Sequence, residues 1–263
     1  EISRASASVG LSYGAHSNLC VNQIYRCGTE AQKQQFIRKT IHGELIWCQG
    51  YSEPGAGSDL ASLTTKAELD SDEWVINGQK IWTSTAQISD WIFCLVRTNP
   101  QAPKHEGISF LLFSMDSPGV SVKPIEMLNG HSPFCQTFFD DVEVSKIDLI
   151  HKENQGWSVA KRLLQHERSG LASLASADKA GPLQRIKPSM PLADLAKHYA
   201  DSDVIADAAL RDEIVVNEMQ KRAFNLTQAR AVAESEANTP GAATSIFKYI
   251  EAEYVKDQLE LQN

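Results

Sequence analysis

YSEPGAGSD, at residues 51–59, and INGQKIWTS, at residues 76–84, are the two most informative stretches of this chain. The first places glycines and serine hydroxyls around the rigid Glu53-Pro54 pair. Because glycine has no Cβ, its backbone can approach an anion closely, and consecutive free N–H groups form a nest for phosphate oxygens. We therefore expect a phosphate-binding loop, in which Gly57 adopts a φ that only glycine tolerates.

The second stretch has the pattern of a β-hairpin. Asn77-Gly78 suits a tight type I′ turn, and it lies between the apolar runs 74–76 and 81–82. Its end adds an aromatic plate, Trp82, and hydroxyl donors to the phosphate loop. The two stretches together predict a site for a large, flat, phosphorylated cofactor.

Composition excludes several functional classes. The chain has 263 residues, 42% of them hydrophobic, which is enough for one large or two modest cores. A formal charge of -8 argues against a nucleic-acid surface. Five scattered cysteines without a CxxC motif favour a reducing compartment over a disulfide framework or a metal site. No apolar run reaches the roughly 20 residues of a membrane helix, and the N-terminus has no signal-peptide pattern.

The pattern along the chain predicts an α+β fold in three parts. Residues 1–45 are expected to form N-terminal helices, with Thr29 and Gln32 in a capping box. In residues 46–153, short apolar runs alternate with turn residues, which is typical of a barrel or sandwich of about seven strands. Residues 154–263 are expected to form a helical bundle that is interrupted at 178–191, with its last helices near 203–237 and 241–261.

The paired stretches resemble the flavin-binding signature of the acyl-CoA dehydrogenase family. Residues 44–157 are similar to a bacterial large-subunit branch that includes pimeloyl-CoA dehydrogenase, and residues 1–36 are closer to isovaleryl-CoA dehydrogenase. Family members are typically longer at both ends, so we expect a truncated fragment. Apolar side chains near its end, Ile246, Ile250 and Leu261, are then expected to be exposed.

The resemblance implies FAD as the cofactor and assigns its contacts. Ser52 is expected at the flavin ring edge, and Gly57 and Ser58 on the pyrophosphate or substrate side. The other cofactor-binding positions are Trp82, Thr83 and Ser84 at the isoalloxazine and the flavin-lining Gln49 and Tyr51. Many members also carry an Arg-x-x-Phe-Gly stretch that reaches the adenine of a neighbouring subunit's FAD. The corresponding region, around residues 183–195, lacks it, which leaves the source of the adenine contacts open.

Glu167 lies on an apolar helical face formed by Trp157, Ala160, Leu164, Leu171 and Leu174. From spacing alone, it is a desolvated general base, the partner of a cation from a facing helix, or a residue at the edge of the apolar stripe. LLQHERSGL, at residues 163–171, resembles the segment that holds the catalytic base in part of the family. The resemblance implies that Glu167 is the base and that Arg168 contacts the CoA or acyl end, although Arg168 also suits an ordinary salt bridge.

The implied reaction is α,β-dehydrogenation of an acyl-CoA thioester to the 2-enoyl-CoA. Glu167 removes the α-proton, and the β-hydrogen leaves as hydride to flavin N5. An electron-transfer flavoprotein is the expected electron acceptor, and a homo- or hetero-oligomer (dimer or tetramer) in the bacterial cytoplasm is the expected state. Two alternatives stay open: an acyl-CoA oxidase on the same fold, and a non-catalytic subunit of a heteromeric dehydrogenase. Acyl length and branching are not fixed by the sequence.

Overall fold

A computed structural model of the chain describes residues 5–164, 192–198, 206–236 and 245–262. The chain divides into two compact units, one comprising Leu11–His166 and the other Glu1–Gly10 with Glu167–Asn263. The first unit holds a β-sheet with helices packed on it. The described part of the second holds three helices after residue 191. The finer division at residues 46 and 154 stays a prediction.

The N-terminal helices follow the predicted caps. They are α1 (Ala7–Ala15), a π-helical segment (His16–Val21), α2 (Asn22–Cys27) and α3 (Glu30–Ile41). The Thr29 hydroxyl accepts a hydrogen bond from the Gln32 backbone N–H, and the Gln32 side chain accepts one from the Thr29 N–H. The capping box is therefore confirmed. Gln32 Nε2 also donates to the Ile147 and Leu149 carbonyls, which ties α3 to the sheet.

The central part forms one sheet of eight strands, one more than predicted. The strands are β1 (Trp47–Gly50), β2 (Lys66–Asp70), β3 (Glu73–Ser84), β4 (Trp91–Arg97), β5 (Ile108–Ser114), β6 (Val120–Ile125), β7 (Phe134–Ser145) and β8 (Leu149–Ile150). Their order is β6-β7-β3-β2-β4-β5-β8, and β1 pairs in parallel with β4.

The sheet separates two hydrophobic cores. Along β4, Phe93 and Leu95 face the core that the helices cover, while Ile92, Cys94 and Val96 face the other core. Both faces are buried, which explains why β4 and β5 are continuous apolar runs. The sheet curves back on itself, since Phe113 of β5 and Phe139 of β7 contact edge to face at 5.3 Å although three strands lie between them.

The predicted hairpin turn at Asn77-Gly78 is wrong. Strand β3 runs through these residues, and the β2–β3 turn lies at Ser71-Asp72, with Ser71 at a φ of 59°. The Asn77 side chain bonds Asp141 of β7 through both its amide nitrogen and its oxygen. Gly78 occupies an irregularity of the β3–β7 pairing at a φ of 149°. Glycine is needed because a Cβ there would lie 2.7 Å from the Thr65 Cα.

A further helix, α4, is described over residues 156–164. Its buried face is centred on Val159, Ala160 and Leu163, whereas Trp157 and Leu164 are only half-buried. The apolar stripe is therefore rotated slightly from the predicted one. Leu171 and Leu174 lie outside the described residues.

The second unit contains α5 (Leu192–His198), α6 (Ala208–Glu236) and α7 (Phe247–Leu261), so the last two helices lie where the sequence predicts them. Helices α6 and α7 pack around Phe224, Phe247 and Tyr254. As expected, Ile246 and Ile250 are exposed, while Leu261 is half-buried. Among the described helices, none combines the length and apolar character that crossing a membrane requires.

Gly78→Ala should destabilise the first unit by roughly 1–3 kcal/mol, because the new methyl group meets the Thr65 backbone and the backbone conformation is almost exclusive to glycine. Gly55→Ala is the control, since its Cβ would meet no atom within 4 Å. Urea unfolding measures both. Equal midpoints for the two variants would contradict the close approach of β3 to Thr65.

Candidate functional site

A buried ion pair joins the two informative stretches. Lys80 Nζ lies 2.8 Å from Glu53 Oε1, and both side chains are almost completely inaccessible to solvent. Lys80 Nζ also donates to the Tyr51 carbonyl at 3.1 Å. The lysine of the second stretch thus holds the backbone and the carboxylate of the first.

Both oxygens of the Glu53 carboxylate accept hydrogen bonds. Oε2 accepts from the Thr64 N–H and hydroxyl at 2.6 and 2.8 Å, and Oε1 accepts from the Thr65 N–H at 2.9 Å. Burial raises the pKa of Glu53, but the Lys80 ammonium and these hydrogen bonds outweigh it and lower the pKa to about 2. The carboxylate is therefore ionised at neutral pH and serves as a structural anchor.

The anchored loop has a defined backbone path. Glu53 and Ala56 exchange two backbone hydrogen bonds around Pro54-Gly55, which closes a β-turn. The Ile81 N–H donates to the Ser52 carbonyl at 2.8 Å, so the loop also pairs with β3. Beyond the turn, Lys104 holds Asp59 at 2.8 Å, and this hydrogen bond lowers the pKa of Asp59. The buried pair with Lys80 therefore holds the loop at the turn, whereas the exposed pair of Lys104 and Asp59 adds little.

The glycines of this loop are not required by the protein's own packing. Gly57 does not adopt a positive φ, so the expected backbone strain at this residue is wrong. A Cβ placed at Gly55 or Gly57 would meet no atom within 4 Å. The free space beside the backbone is what an approaching phosphate needs, and the loop therefore fits the pyrophosphate of FAD.

Trp82 is held outward by a bulge in β3. The β3–β7 register shifts between Lys80 and Thr83, and Trp82 adopts a left-handed φ of 61°. Trp74, Ile76 and Lys80 are buried at even positions, so strict alternation would bury Trp82 as well. The bulge reverses the alternation: Trp82 is 53% exposed, and Thr83 is buried instead.

Two features of this bulge suit a flat ligand. A bulky residue with a left-handed backbone costs about 1–3 kcal/mol and is characteristic of functional sites. Trp82 contacts Phe134 edge to face at 5.9 Å, which orients the exposed indole. The buried Thr83 hydroxyl has no hydrogen-bond partner among the described residues. The exposed indole fits the flat face of an isoalloxazine ring, while the Thr83 hydroxyl lies on the buried side of β3.

The other predicted contacts fall at different depths. Ser58 and Ser84 are exposed, and Gln49 and Ser52 are half-buried. Tyr51 is buried, with its ring edge-on to Phe93 and Phe110. Glu167 and Arg168 lie outside the described residues, so their roles stay predictions from the sequence. Within the described ranges, no group of three or more His, Cys, Asp or Glu side chains could hold a metal ion.

The ion pair of Glu53 and Lys80 is not among the predictions from the sequence, in which Glu53 is only part of a turn. The missed signal was the period-two alternation of β3, which places Lys80 on the same side as Trp74 and Ile76. A lysine at an inward position needs a buried carboxylate, and Glu53 is the acidic residue of the neighbouring stretch that meets this need.

Comparison with known proteins identifies the family. The profile described as "Acyl-CoA dehydrogenase, middle domain" matches residues 48–142, and "Acyl-CoA dehydrogenase, N-terminal domain" matches residues 1–44. Acyl-CoA dehydrogenase IpdE1 of Mycobacterium tuberculosis is 47% identical over 147 residues, which are 56% of this chain and 38% of that protein. The mitochondrial isovaleryl-CoA dehydrogenase of Pongo abelii is 41% identical over 175 residues, 65% of this chain and 41% of that protein.

A solved structure shows that the fold is also that of the acyl-CoA dehydrogenases. The "Tcur3481-Tcur3483 steroid ACAD" superposes with a TM-score of 0.77 at 31% identity, covering 95% of this chain and 63% of that one. The α+β fold and the predicted resemblance are therefore confirmed. The chain spans about two fifths of the length of the two curated relatives.

Lys80→Met should destabilise the first unit by roughly 3–5 kcal/mol, because Glu53 is left as a buried charge without its cation. Lys66→Met is the matched control: its pair with Glu68 is exposed on both sides, and its loss should cost less than about 1 kcal/mol. Denaturant unfolding of both variants at pH 7 measures the difference. Similar losses for the two lysines would contradict a structural role of the buried pair.

The same pair predicts the pH dependence of stability. Because folding lowers the Glu53 pKa from 4.5 to about 2, its contribution is complete above pH 4.5 and is lost as the pH falls towards 2. Unfolding free energies between pH 6 and pH 2 should therefore fall less steeply in Lys80→Met than in the wild type. An unchanged slope would show that Lys80 does not set this pKa.

Proposed function

We propose, since this chain belongs to the acyl-CoA dehydrogenase family, that the protein containing it oxidises an acyl-CoA thioester to the 2-enoyl-CoA. The supporting observation is the arrangement of the two anchored stretches. The ion pair of Glu53 and Lys80 fixes an open glycine loop next to an outward-facing Trp82. This combination offers room for a pyrophosphate and a flat surface for an isoalloxazine ring.

The residues that would hold FAD are those of the loop and the bulge. Gly57 and Ser58 would take the phosphates or the substrate side, and Ser52 the ring edge. Trp82, Thr83 and Ser84 would contact the isoalloxazine, with Gln49 and Tyr51 behind them. When bound, FAD would supply the acceptor for the hydride that leaves the β-carbon.

The chain's own contribution to the chemistry is the removal of a proton. Glu167 takes the proton from the carbon α to the thioester carbonyl, and the apolar helical face predicted from the sequence would raise the basicity of its carboxylate. Arg168 holds the CoA or acyl end. These roles rest on the resemblance of residues 163–171 and on the apolar helical pattern that leads into them.

The expected partners follow from the same family. An electron-transfer flavoprotein accepts the electrons, and the protein forms a homo- or hetero-oligomer. The solved structure "Tcur3481-Tcur3483 steroid ACAD" carries two protein names and is a steroid ACAD, which favours a bulky acyl group and a heteromeric assembly here. A cytoplasmic location stays a prediction.

Two other readings of the same fold remain as alternatives. In an acyl-CoA oxidase, O₂ would reoxidise the flavin, so substrate turnover in air would release hydrogen peroxide. In a non-catalytic subunit, the chain would bind no flavin even with its partner present. Measuring peroxide and bound flavin in the purified full-length protein distinguishes these from a dehydrogenase.

Gly57→Val should remove most bound flavin without loss of fold stability. Its side chain fills the space reserved for phosphate, its Cβ meets no atom within 4 Å, and Gly57 has no positive φ that a side chain would strain. Ser121→Val, at an exposed position of β6, is the control and should keep its flavin. Flavin absorbance per protein and thermal unfolding of the apoprotein are the readouts. Full flavin occupancy in Gly57→Val would contradict the assignment of this loop as the pyrophosphate-binding site.

Glu167→Gln keeps the size of the side chain but removes the base, so turnover in the full-length protein should fall by roughly 10²–10⁴. Flavin content should stay unchanged. Glu143→Gln, exposed on β7, is the control and should retain full activity. Dye reduction with an acyl-CoA panel measures all three proteins. Turnover of Glu167→Gln within about twofold of wild type would place the base elsewhere, since general-base catalysis contributes far more.

A further inference from the structure

The chain contains two Asn-Gly dipeptides, Asn77-Gly78 and Asn129-Gly130. In such a pair, the backbone nitrogen of the glycine can attack the side-chain carbonyl carbon of the asparagine, because glycine has no Cβ that obstructs the approach. The fold places the two pairs in different surroundings. Asn77-Gly78 lies within strand β3, whereas Asn129-Gly130 lies in the loop between β6 and β7.

The Asn77 amide is held through both of its polar atoms. Nδ2 donates to Asp141 Oδ1 at 2.8 Å, and Oδ1 accepts from the Asp141 N–H at 3.0 Å. Asn77 also pairs with Lys66 of β2, and β3 itself lies between β2 and β7. Turning this amide towards the Gly78 nitrogen would break both side-chain bonds and disturb the pairing of β3. The fold therefore protects Asn77 from attack.

The Asn129 amide is exposed and is held only through its oxygen. Oδ1 accepts a hydrogen bond from the His131 N–H at 3.0 Å, while Nδ2 has no hydrogen-bond partner among the described residues. The His131 N–H polarises the side-chain carbonyl and stabilises the negative charge that its oxygen acquires when the carbon is attacked. The amide nitrogen is at the same time free to leave into solvent.

The attacking nitrogen of Gly130 is restrained by a single turn. Its N–H donates to the Met127 carbonyl at 2.8 Å. The side chain of the intervening Leu128 is fully exposed, and a Cβ at Gly130 would meet no atom within 4 Å, so nothing packs on the tip of the loop. Local opening of such a tip costs far less free energy than opening a paired strand. The Gly130 nitrogen can therefore be released while β6 and β7 stay paired.

We propose that Asn129 is a self-modification site, at which the side-chain amide is converted to a carboxylate with water as the co-reactant. The Gly130 nitrogen gives its proton to solvent and bonds to the Asn129 side-chain carbon. The bond from this carbon to Nδ2 breaks, and Nδ2 takes up a proton and leaves as ammonia. Water then opens the succinimide ring at either carbonyl, which yields aspartate or iso-aspartate. The net reaction consumes water and releases ammonia, and nothing is oxidised or reduced.

The modified loop borders the exposed indole of the candidate site. Directly after the loop, the Pro133 carbonyl accepts from the Thr85 N–H at 3.0 Å, and Phe134 contacts Trp82 edge to face. Either product adds a negative charge to the loop. In iso-aspartate the backbone also runs through the former side chain and is longer by a methylene group. Conversion of Asn129 therefore changes the charge and the backbone length of a loop that is connected to the Trp82 bulge.

Tryptic peptide mapping of the full-length protein, after incubation in mildly alkaline buffer made with heavy-oxygen water, measures conversion at both pairs. Asn77 and Asn129 fall in different tryptic peptides, and the incorporated oxygen marks conversion that took place during the incubation. In the folded protein, Asn129 should convert at least roughly tenfold faster than Asn77, because a loop tip opens more readily than a paired strand. In the protein unfolded by urea, both pairs should convert at similar rates.

Asn129→Gln is the matched control. It keeps an amide at this position but moves the carbonyl carbon a methylene group further from the Gly130 nitrogen, so the peptide that contains residue 129 should take up no label in the folded protein. Similar rates at Asn77 and Asn129 in the folded protein would overturn the selection by the fold. An Asn129 that converts in urea but not in the folded protein would show that the loop protects it, and the proposal would fail.

Discussion

The buried ion pair of Glu53 and Lys80 is the interaction on which the candidate site depends. It joins a loop to strand β3, and neither the path of the loop nor the position of the bulge is fixed by local pairing alone. A buried pair of this kind adds little net stability compared with apolar residues, but its disruption is expensive. Its consequence is geometric: the glycine loop and Trp82 are held as one rigid surface.

The sheet supplies that surface because it has a core on each side. Phe93 and Leu95 on one face, and Ile92 and Cys94 on the other, pack into separate cores, so β4 is held from both sides. The site forms at the margin of this rigid sheet, where β3 departs from regular pairing. The backbone at Gly78 and Trp82 is irregular and costs stability. The sheet can carry this cost because burial holds the neighbouring strands in place.

The bulge in β3 carries the exposed aromatic surface of the candidate site. Trp82 leaves the alternation of the strand and presents its indole to solvent, while Thr83 takes the buried position. An exposed indole suits a flat cofactor, and this agrees with the family to which the chain belongs.

The sequence was sufficient for properties that depend on local pattern: the helix caps at Thr29, the apolar strands, the last two helices and the family signature at residues 51–59 and 76–84. It failed at Asn77-Gly78, because a turn propensity is local whereas the pairing of β3 with β7 is not. It also could not give the Glu53–Lys80 contact or the outward position of Trp82. The contact and the outward position both depend on which strands pair and where the pairing register shifts. Packing between residues that are distant in sequence determines this pairing.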